Sequence, residues 1–110
     1  MMPETLRVLG QAAPAANTDT TVYTVGSGKS AVVSTITVCN RDPGNATFRI
    51  AVSPGGAALA NPHYIYYDAP LPGNSTFAAT VGLSVGPGDV VRVRASTGNL
   101  SFSIFGSEVT

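Results

Sequence analysis

The chain has 110 residues, and its six Lys and Arg residues balance its six Asp and Glu residues, so the formal net charge is zero. Charged residues make up only 11% of the sequence, against about 25% in an average soluble domain. This length predicts one domain, and so sparse a charge set lacks the basic surface that nucleic-acid binding needs. No stretch approaches the roughly 20 apolar residues that span a membrane.

A single cysteine excludes an intrachain disulfide. The N-terminus has no basic segment followed by a long apolar run, so no signal peptide is expected. With few charges and no net charge, a free monomer would have little electrostatic protection against self-association. We therefore expect a subunit whose surface is largely covered by neighbouring proteins.

Apolar and polar residues alternate along most of the chain, and Gly, Pro and Asn interrupt the alternation at short intervals. This pattern predicts short strands joined by turns. Eight strands are predicted, at 6–9, 20–25, 31–40, 46–53, 63–68, 75–83, 89–95 and 100–105. They indicate an all-β, single-domain antiparallel β-sandwich or jelly roll of about eight strands, with almost no helix.

The predicted organisation has three parts. Residues 1–19 are an N-terminal strand and extended arm, 20–105 are the sandwich body, and 106–110 are a C-terminal tail. We expect the arm and the tail to contact neighbouring subunits.

The third predicted strand, 31–40, is rich in Val, Ile and Thr, which suit a pleated surface. Because successive strand side chains point to opposite faces, unbroken alternation places Val32 on one face with Ile36 and Val38. The same alternation places Val33 on the other face with Cys39.

The fifth predicted strand is aromatic. Alternation puts Tyr64 and Tyr66 on one face and Tyr67 on the other, beside His63. Tyrosine is favoured at protein interfaces because it joins a large apolar ring to a polar tip. The candidate interface residues are these four on the aromatic strand and two leucines in the first strand: Tyr64, Tyr66, Tyr67, His63, Leu6 and Leu9.

Two patterns invite a chemical interpretation. The sequence Gly-Ser-Gly-Lys-Ser at 26–30 resembles part of a phosphate-binding loop, but Tyr23 stands where the motif needs its first glycine, and strand sequence follows instead of a helix. Cys39 and His63 could in principle form a nucleophile and base, but they lie on different predicted strands. We predict no catalytic residue, no metal site and no cofactor, and hence no enzyme.

Six segments carry a resemblance to a known family: YTV at 23–25, GKSAVVSTITVCNR at 28–41, TFRIAV at 47–52, AALANPHYI at 57–65, ASTGNLSF at 95–102 and FGSE at 105–108. Together they resemble the small virion structural proteins of tailed bacteriophages, including cyanophages. The resemblance extends over roughly residues 5–110. One departure is the Gly-Ser-Gly turn at 26–28, near which related sequences often carry proline.

The resemblance implies a non-enzymatic, multi-copy accessory protein that decorates or cements the phage head or is attached to the tail. It implies a virion location after assembly in the host cytoplasm. The implied partners are other copies of the chain, as a homo-oligomer, and other virion proteins, with no nucleic acid and no membrane. The alternative is a receptor- or glycan-binding β-sandwich module of a tail fibre, acting through the stacked rings of the aromatic strand.

Overall fold

Eight antiparallel strands account for most of the computed structural model, which describes residues 4–110. In chain order they are β1 (Glu4–Ala12), β2 (Thr20–Thr24), β3 (Ser30–Asn40), β4 (Ala46–Ser53), β5 (Tyr64–Leu71), β6 (Thr76–Val85), β7 (Val90–Ala95) and β8 (Leu100–Val109). Two single 3-10 turns, Pro54–Gly56 and Asn61–His63, lie between β4 and β5. Within residues 4–110, no helix has the length and apolar character to cross a membrane.

The strand order identifies the topology. Sheet A has the order β1-β8-β3-β6, and sheet B has the order β2-β7-β4-β5. All neighbouring strands are antiparallel. Strand β1 pairs with β8, β2 with β7, β3 with β6 and β4 with β5, as in one long hairpin rolled into two layers. This is a jelly roll, and it confirms the predicted all-β sandwich of eight strands.

The first and last strands both form part of sheet A. Strand β1 pairs along β8 from Glu4, opposite Val109, to Ala12, opposite Phe102. Residues 106–109, predicted as a tail, are therefore the end of β8, held between β1 and β3. Of the predicted arm, residues 4–12 are strand, 13–19 connect β1 to β2, and 1–3 lie outside the described residues. Pairing with each other makes β1 and β8 longer than their alternating segments. The local sequence pattern does not show this extension.

The core lies between the sheets and is filled by alternate residues of both. Its largest fully buried side chains include Phe48 from sheet B and Phe102 from sheet A. Their rings are 6.3 Å apart, centroid to centroid, in an edge-on arrangement. The ring centroid of Phe77 lies 5.2 Å from that of Phe48, with the two rings tilted. Such tilted and edge-on aromatic pairs add to the free energy gained by burial.

A bulge in β3 changes which of its residues face the core. Val33 pairs with Gly106, but Thr35 pairs with Phe105, so Ser34 is an extra residue. One extra residue reverses the faces of all residues on one side of it. Val33 is therefore buried in the core with Ile36. Val32 is on the outside and 40% exposed, so the predicted grouping of Val32 with Ile36 and Val38 is wrong.

The segment between β4 and β5 covers part of the outer face of sheet B. Arg92 on β7 donates from Nη1 to the Ser53 hydroxyl and to the Ala57 carbonyl oxygen, both at 2.8 Å. Ala51 and Ser53 are consequently buried, although they lie on the side of β4 away from the core. Strand β4, whose sequence predicts one buried and one exposed side, is thus buried on both sides at its C-terminal end.

Candidate interaction surfaces

The structure divides the six predicted interface residues among four places, one of which is the 3-10 turn before β5 that contains His63. Leu9 is only 6% exposed and belongs to the core. Alternation from the exposed Val8 turns it inwards, and it is also the extra residue of a bulge in β1. Tyr66 packs on the core, with its ring centroid 5.2 Å from that of Phe77. These two side chains are therefore not part of an open surface. Leu6 lies on the outer face of sheet A, whereas Tyr64 and Tyr67 lie on the outer face of sheet B.

Two bulges in β5 separate the tyrosines differently from the predicted alternation. Ile50 on β4 pairs with Tyr66, the next residue, Ala51, pairs with Tyr64, and Phe48 pairs with Ala69. The two shifts each leave an additional residue on β5. Asp68, in the second bulge, has a left-handed backbone with φ of 51°. Tyr64 and Tyr67 consequently meet on the outer face, with ring centroids 4.9 Å apart.

An arginine is the centre of this group on sheet B. Arg49 donates from Nε to Asp68 at 2.7 Å. Its guanidinium carbon lies 4.0 Å from the centroid of the Tyr67 ring, a cation–π distance. The hydrogen bond from Arg49 holds the pKa of the Asp68 carboxyl below its usual value. The same bond raises the pKa of Arg49, so both groups are charged at neutral pH.

Charges are concentrated on the outer face of sheet B. Arg49 is directly opposite Arg94 on β7, an arrangement of like charges that is unfavourable unless each has its own counter-ion. Asp68 pairs with the first, and Asp19 lies 3.6 Å from the second. A pocket of about 30 Å³ between these groups, with Asn17 in its wall, has room for about one water molecule.

The outer face of sheet A is apolar at one end. Leu6 is 80% exposed, Val8 is 46% exposed and Val32 is 40% exposed. The strand register places them together. Leu6 and Val32 both pair with Ser107, and Val8 pairs with Phe105, which is the next residue of β8 on the same face. Phe105 is partly buried and lies outside the core cluster. We call these four side chains (Leu6, Val8, Val32 and Phe105) the apolar patch.

The rest of this face is polar but carries almost no charge. Strands β3 and β6 contain no charged residue. Cross-strand pairs beyond the patch consist of small hydroxyl or apolar side chains, such as Thr35 with Thr80 and Cys39 with Thr76. Of the charged residues in β1 and β8, Arg7 and Glu108 interact with each other on the inner side. Glu4 is thus the one charge on the outer face among the described residues of these strands.

At the same end of the sandwich, Glu108 joins the two sheets. It accepts a hydrogen bond of 2.7 Å from the Tyr23 hydroxyl, on β2. Arg7 Nη1 and Lys29 Nζ lie 3.3 Å and 3.8 Å from its Oε1. The bond from Tyr23 and the two cations lower the pKa of Glu108. Burial and the bond to Glu108 raise the pKa of Tyr23 to about 12.

The segments considered for chemistry have structural roles. Lys29 ends a turn in which its amide donates to the Gly26 carbonyl oxygen at 3.1 Å, and strand β3 follows directly. Cys39 is on the outer face of sheet A, and His63 precedes β5 in sheet B. The Nδ1 atom of His63 accepts a hydrogen bond from the Ala60 amide at 3.1 Å. Among the described residues, no three His, Cys, Asp or Glu side chains form a group that could hold a metal ion.

Comparison with known proteins gives few matches. No family model and no curated protein matches the chain. A structure of infectious bursal disease virus, strain Gt, aligns with 98% of the chain at 10% identity, with a TM-score of 0.45. A structure of the Gx strain aligns with 99% at 10% identity, with a TM-score of 0.47. The chain spans 31% of the length of each of those viral chains.

Three of the four residues in the apolar patch are not among the predicted interface residues. Val8, Val32 and Phe105 each have an apolar neighbour in the chain (Leu9, Val33 and Ile104), so local alternation does not show which residue of each pair faces outwards. For Val8 and Val32 the face also depends on the bulges at Leu9 and Ser34, which are set by pairing with β8. The signal that could have indicated this face is the absence of charge throughout 30–40 and 76–85.

Proposed function

We propose that the chain is a non-enzymatic structural component of a tailed-bacteriophage particle, present in many copies and held there through the outer face of sheet A. The observation that carries the proposal is the exposed apolar patch on a nearly charge-free sheet face. Exposed apolar patches with a polar rim mark sites of association, and interface centres are depleted of charged residues.

The contrast between the two sheets supports this choice of face. Burying the outer face of sheet B against a partner would remove Arg49, Arg94 and their carboxylates from water, which costs free energy unless the partner replaces each contact. Burying the outer face of sheet A would desolvate a single charge among the described residues, that of Glu4 at the end of β1. We assign sheet A to the contact and sheet B to the solvent-exposed side.

The resemblance to virion structural proteins supplies the biological setting, and the jelly roll is compatible with it. This fold occurs in viral capsid proteins, lectins and cupins, so it does not by itself choose among functions. Many symmetric copies would convert modest contacts into stable attachment. Within this class we favour head decoration over attachment to the tail.

The test is quantitative mass spectrometry of purified phage particles together with incorporation of variants. We expect the wild-type chain in many copies per particle, and a large loss of incorporation for Leu6→Glu. Ile65→Glu is the matched control, because Ile65 is also an exposed aliphatic residue but lies on sheet B. Absence of the chain from particles would refute the proposal, and equal loss for both variants would refute the assignment to sheet A.

Glycan recognition by a fibre module remains the second candidate because Tyr67 is 58% exposed. A platform of three tyrosines does not form, since Tyr66 packs on the core, and Arg49 occupies one side of the Tyr67 ring. A glycan would have to stack on the other side of that ring. Binding to a glycan array that is abolished by Tyr67→Ala and retained by Leu6→Glu would favour this function over the structural one.

A further inference from the structure

The outer face of sheet A is large enough for a stable contact with one partner. It has four strands, and a face four strands wide and ten residues long measures about 19 Å by 33 Å. Its projected area is therefore roughly 600 Å², and two such faces would bury about 1,200 Å² in total, the lower limit for specific interfaces. A second copy of the chain presents a face of the same size.

The same face is self-complementary in charge. In a two-fold interface each patch meets a copy of itself, so any concentration of charge of one sign would meet the same sign. Strands β3 and β6 have no charged residue, and β8 has only Glu108, which is bound to Tyr23 and Arg7 on the inner side. The one charge on this face among the described residues is Glu4, at the end of edge strand β1. Two identical faces of this kind therefore meet with little repulsion and little desolvation of ions.

We infer that the outer face of sheet A packs face to face on the same face of a second copy of the chain. This inference rests on the proposed function in that it names the partner of the surface assigned there. Sheets packed face to face keep their strands within about 30° of parallel and about 10 Å apart. A two-fold axis along the strands satisfies this geometry and brings the apolar ends of both faces together.

The position of the axis predicts which residues meet. Strands β8 and β3 are the two central strands of sheet A, so an axis between them lays β8 of one copy over β3 of the other. Val32 and Phe105 then lie near the axis, and each copy's Val32 is close to that of the second copy. Leu6, on edge strand β1, lies over β6 of the second copy.

The experiment is sedimentation equilibrium of the purified chain over a dilution series. We expect a mass twice the chain mass of 11.2 kDa, and a dissociation constant raised roughly tenfold or more by Leu6→Glu or Val32→Glu. Ile65→Glu should leave the dimer unchanged. The thermal midpoint of each variant checks that it folds. We expect all of them to fold, because the substituted positions are exposed.

A charge-swap experiment separates a contact at the axis from a general effect on the surface. Val32→Glu and Val32→Lys should each weaken the dimer, and an equimolar mixture of the two should restore it, since opposite charges then meet near the axis. The inference would be overturned if the wild-type chain were a monomer at about 100 μM or formed an oligomer with an odd number of copies. It would also be overturned if the substitutions at Leu6 and Val32 left the dimer unchanged, or if the mixture of the two Val32 variants stayed monomeric.

The particle experiment keeps this inference distinct from the proposed function. A chain that is abundant in particles and monomeric in solution would overturn the contact with a second copy and leave the structural role intact. Loss of incorporation by Leu6→Glu in that case would assign the face to a different virion protein. If the chain were a dimer in solution and absent from particles, the contact with a second copy would stand and the structural role in the particle would be refuted.

Discussion

The hydroxyl of Tyr23 on β2 donates a 2.7 Å hydrogen bond to the Glu108 carboxylate on β8, and so joins sheet B to sheet A at one end of the sandwich. The two residues are 85 positions apart in the chain. Arg7 and Lys29 lie close to the same carboxylate. Glu108 is on β8, which pairs with both β1 and β3. Its side chain contacts β2 through Tyr23, β1 through Arg7 and the turn before β3 through Lys29.

The first prediction is that Tyr23→Phe destabilises the fold modestly. The substitution keeps the ring, which packs on the core, and removes only the donor to Glu108. We expect a loss of about 1 kcal/mol in the free energy of unfolding, measured by urea denaturation. Tyr67→Phe, whose ring is exposed on sheet B, is the control and should have no measurable effect. An equal loss in both variants would contradict the assigned role of the Tyr23 hydroxyl.

The second prediction concerns pH. The folded-state pKa values of Glu108, Asp68 and Asp89 are all lowered, so the stability that they contribute is present above their unfolded values of about 4 and is lost as the pH falls further. The pKa of Tyr23 is raised from 10.0 to about 12, so its contribution is present below pH 10 and lost as the pH rises towards 12. A plot of thermal midpoint against pH should fall at both ends, and Tyr23→Phe should flatten the alkaline fall.

The third prediction tests the bulge in β3. Val33 is fully buried and Val32 is 40% exposed. Val33→Ala should cost about 2 kcal/mol through lost burial and the cavity left behind, whereas Val32→Ala should change the free energy of unfolding by less than about 0.5 kcal/mol. Denaturant titration of the two variants gives the comparison. The reverse order would show that β3 alternates without a bulge.

The fourth prediction concerns a close backbone approach in sheet A. A Cβ atom added to Gly106 on β8 would clash with the Val32 carbonyl oxygen on β3. The β3 backbone cannot move away without breaking its hydrogen bonds to β8. Gly106→Ala should therefore lower the free energy of unfolding by about 3 kcal/mol or more. Gly98→Ala, in open space, is the matched control and should be nearly neutral. Thermal unfolding of both variants would reveal a similar midpoint if the approach were not this close.

The fifth prediction concerns Asp89, in the turn before β7. Its two carboxylate oxygens accept hydrogen bonds of 2.8 Å from the amides of Gly55 and Gly86, and so connect that turn to the segment after β4. Asp89→Ala should lower the free energy of unfolding by about 1 kcal/mol, a value reduced for partial exposure. Proteolysis in the segment 54–63 should also become faster. An unchanged cleavage rate would show that the turn does not hold this segment.

The alternation of residues predicted most of the fold. Each of the eight predicted strands has a counterpart in the structure, and the turns at Gly and Pro separate them as expected. Strand β7 is a clear example, since Val91 and Val93 face the core and Arg92 and Arg94 face outwards. The pattern succeeds there because burial on one side and water on the other act directly on successive residues.

The interface residues were predicted less well, for a specific physical reason. Leu9, Ser34 and the two bulges of β5 each insert a residue relative to a neighbouring strand. A bulge follows from how two distant strands fit together, and the local sequence carries no mark of it. Each one reverses the faces that follow, which placed Val33 in the core and brought Tyr64 beside Tyr67.

The sequence by itself determined the fold class, the approximate strands and the scarcity of charge, because these depend on local alternation and composition. Only the tertiary structure decided where the remaining charge lies. Pairing of β3, β6 and β8 placed three nearly uncharged strands side by side, and pairing of β4, β5 and β7 gathered Arg49, Arg92 and Arg94 on the opposite sheet. Strand order is a long-range property, so one nearly uncharged face and one charged face arise only when the chain is folded.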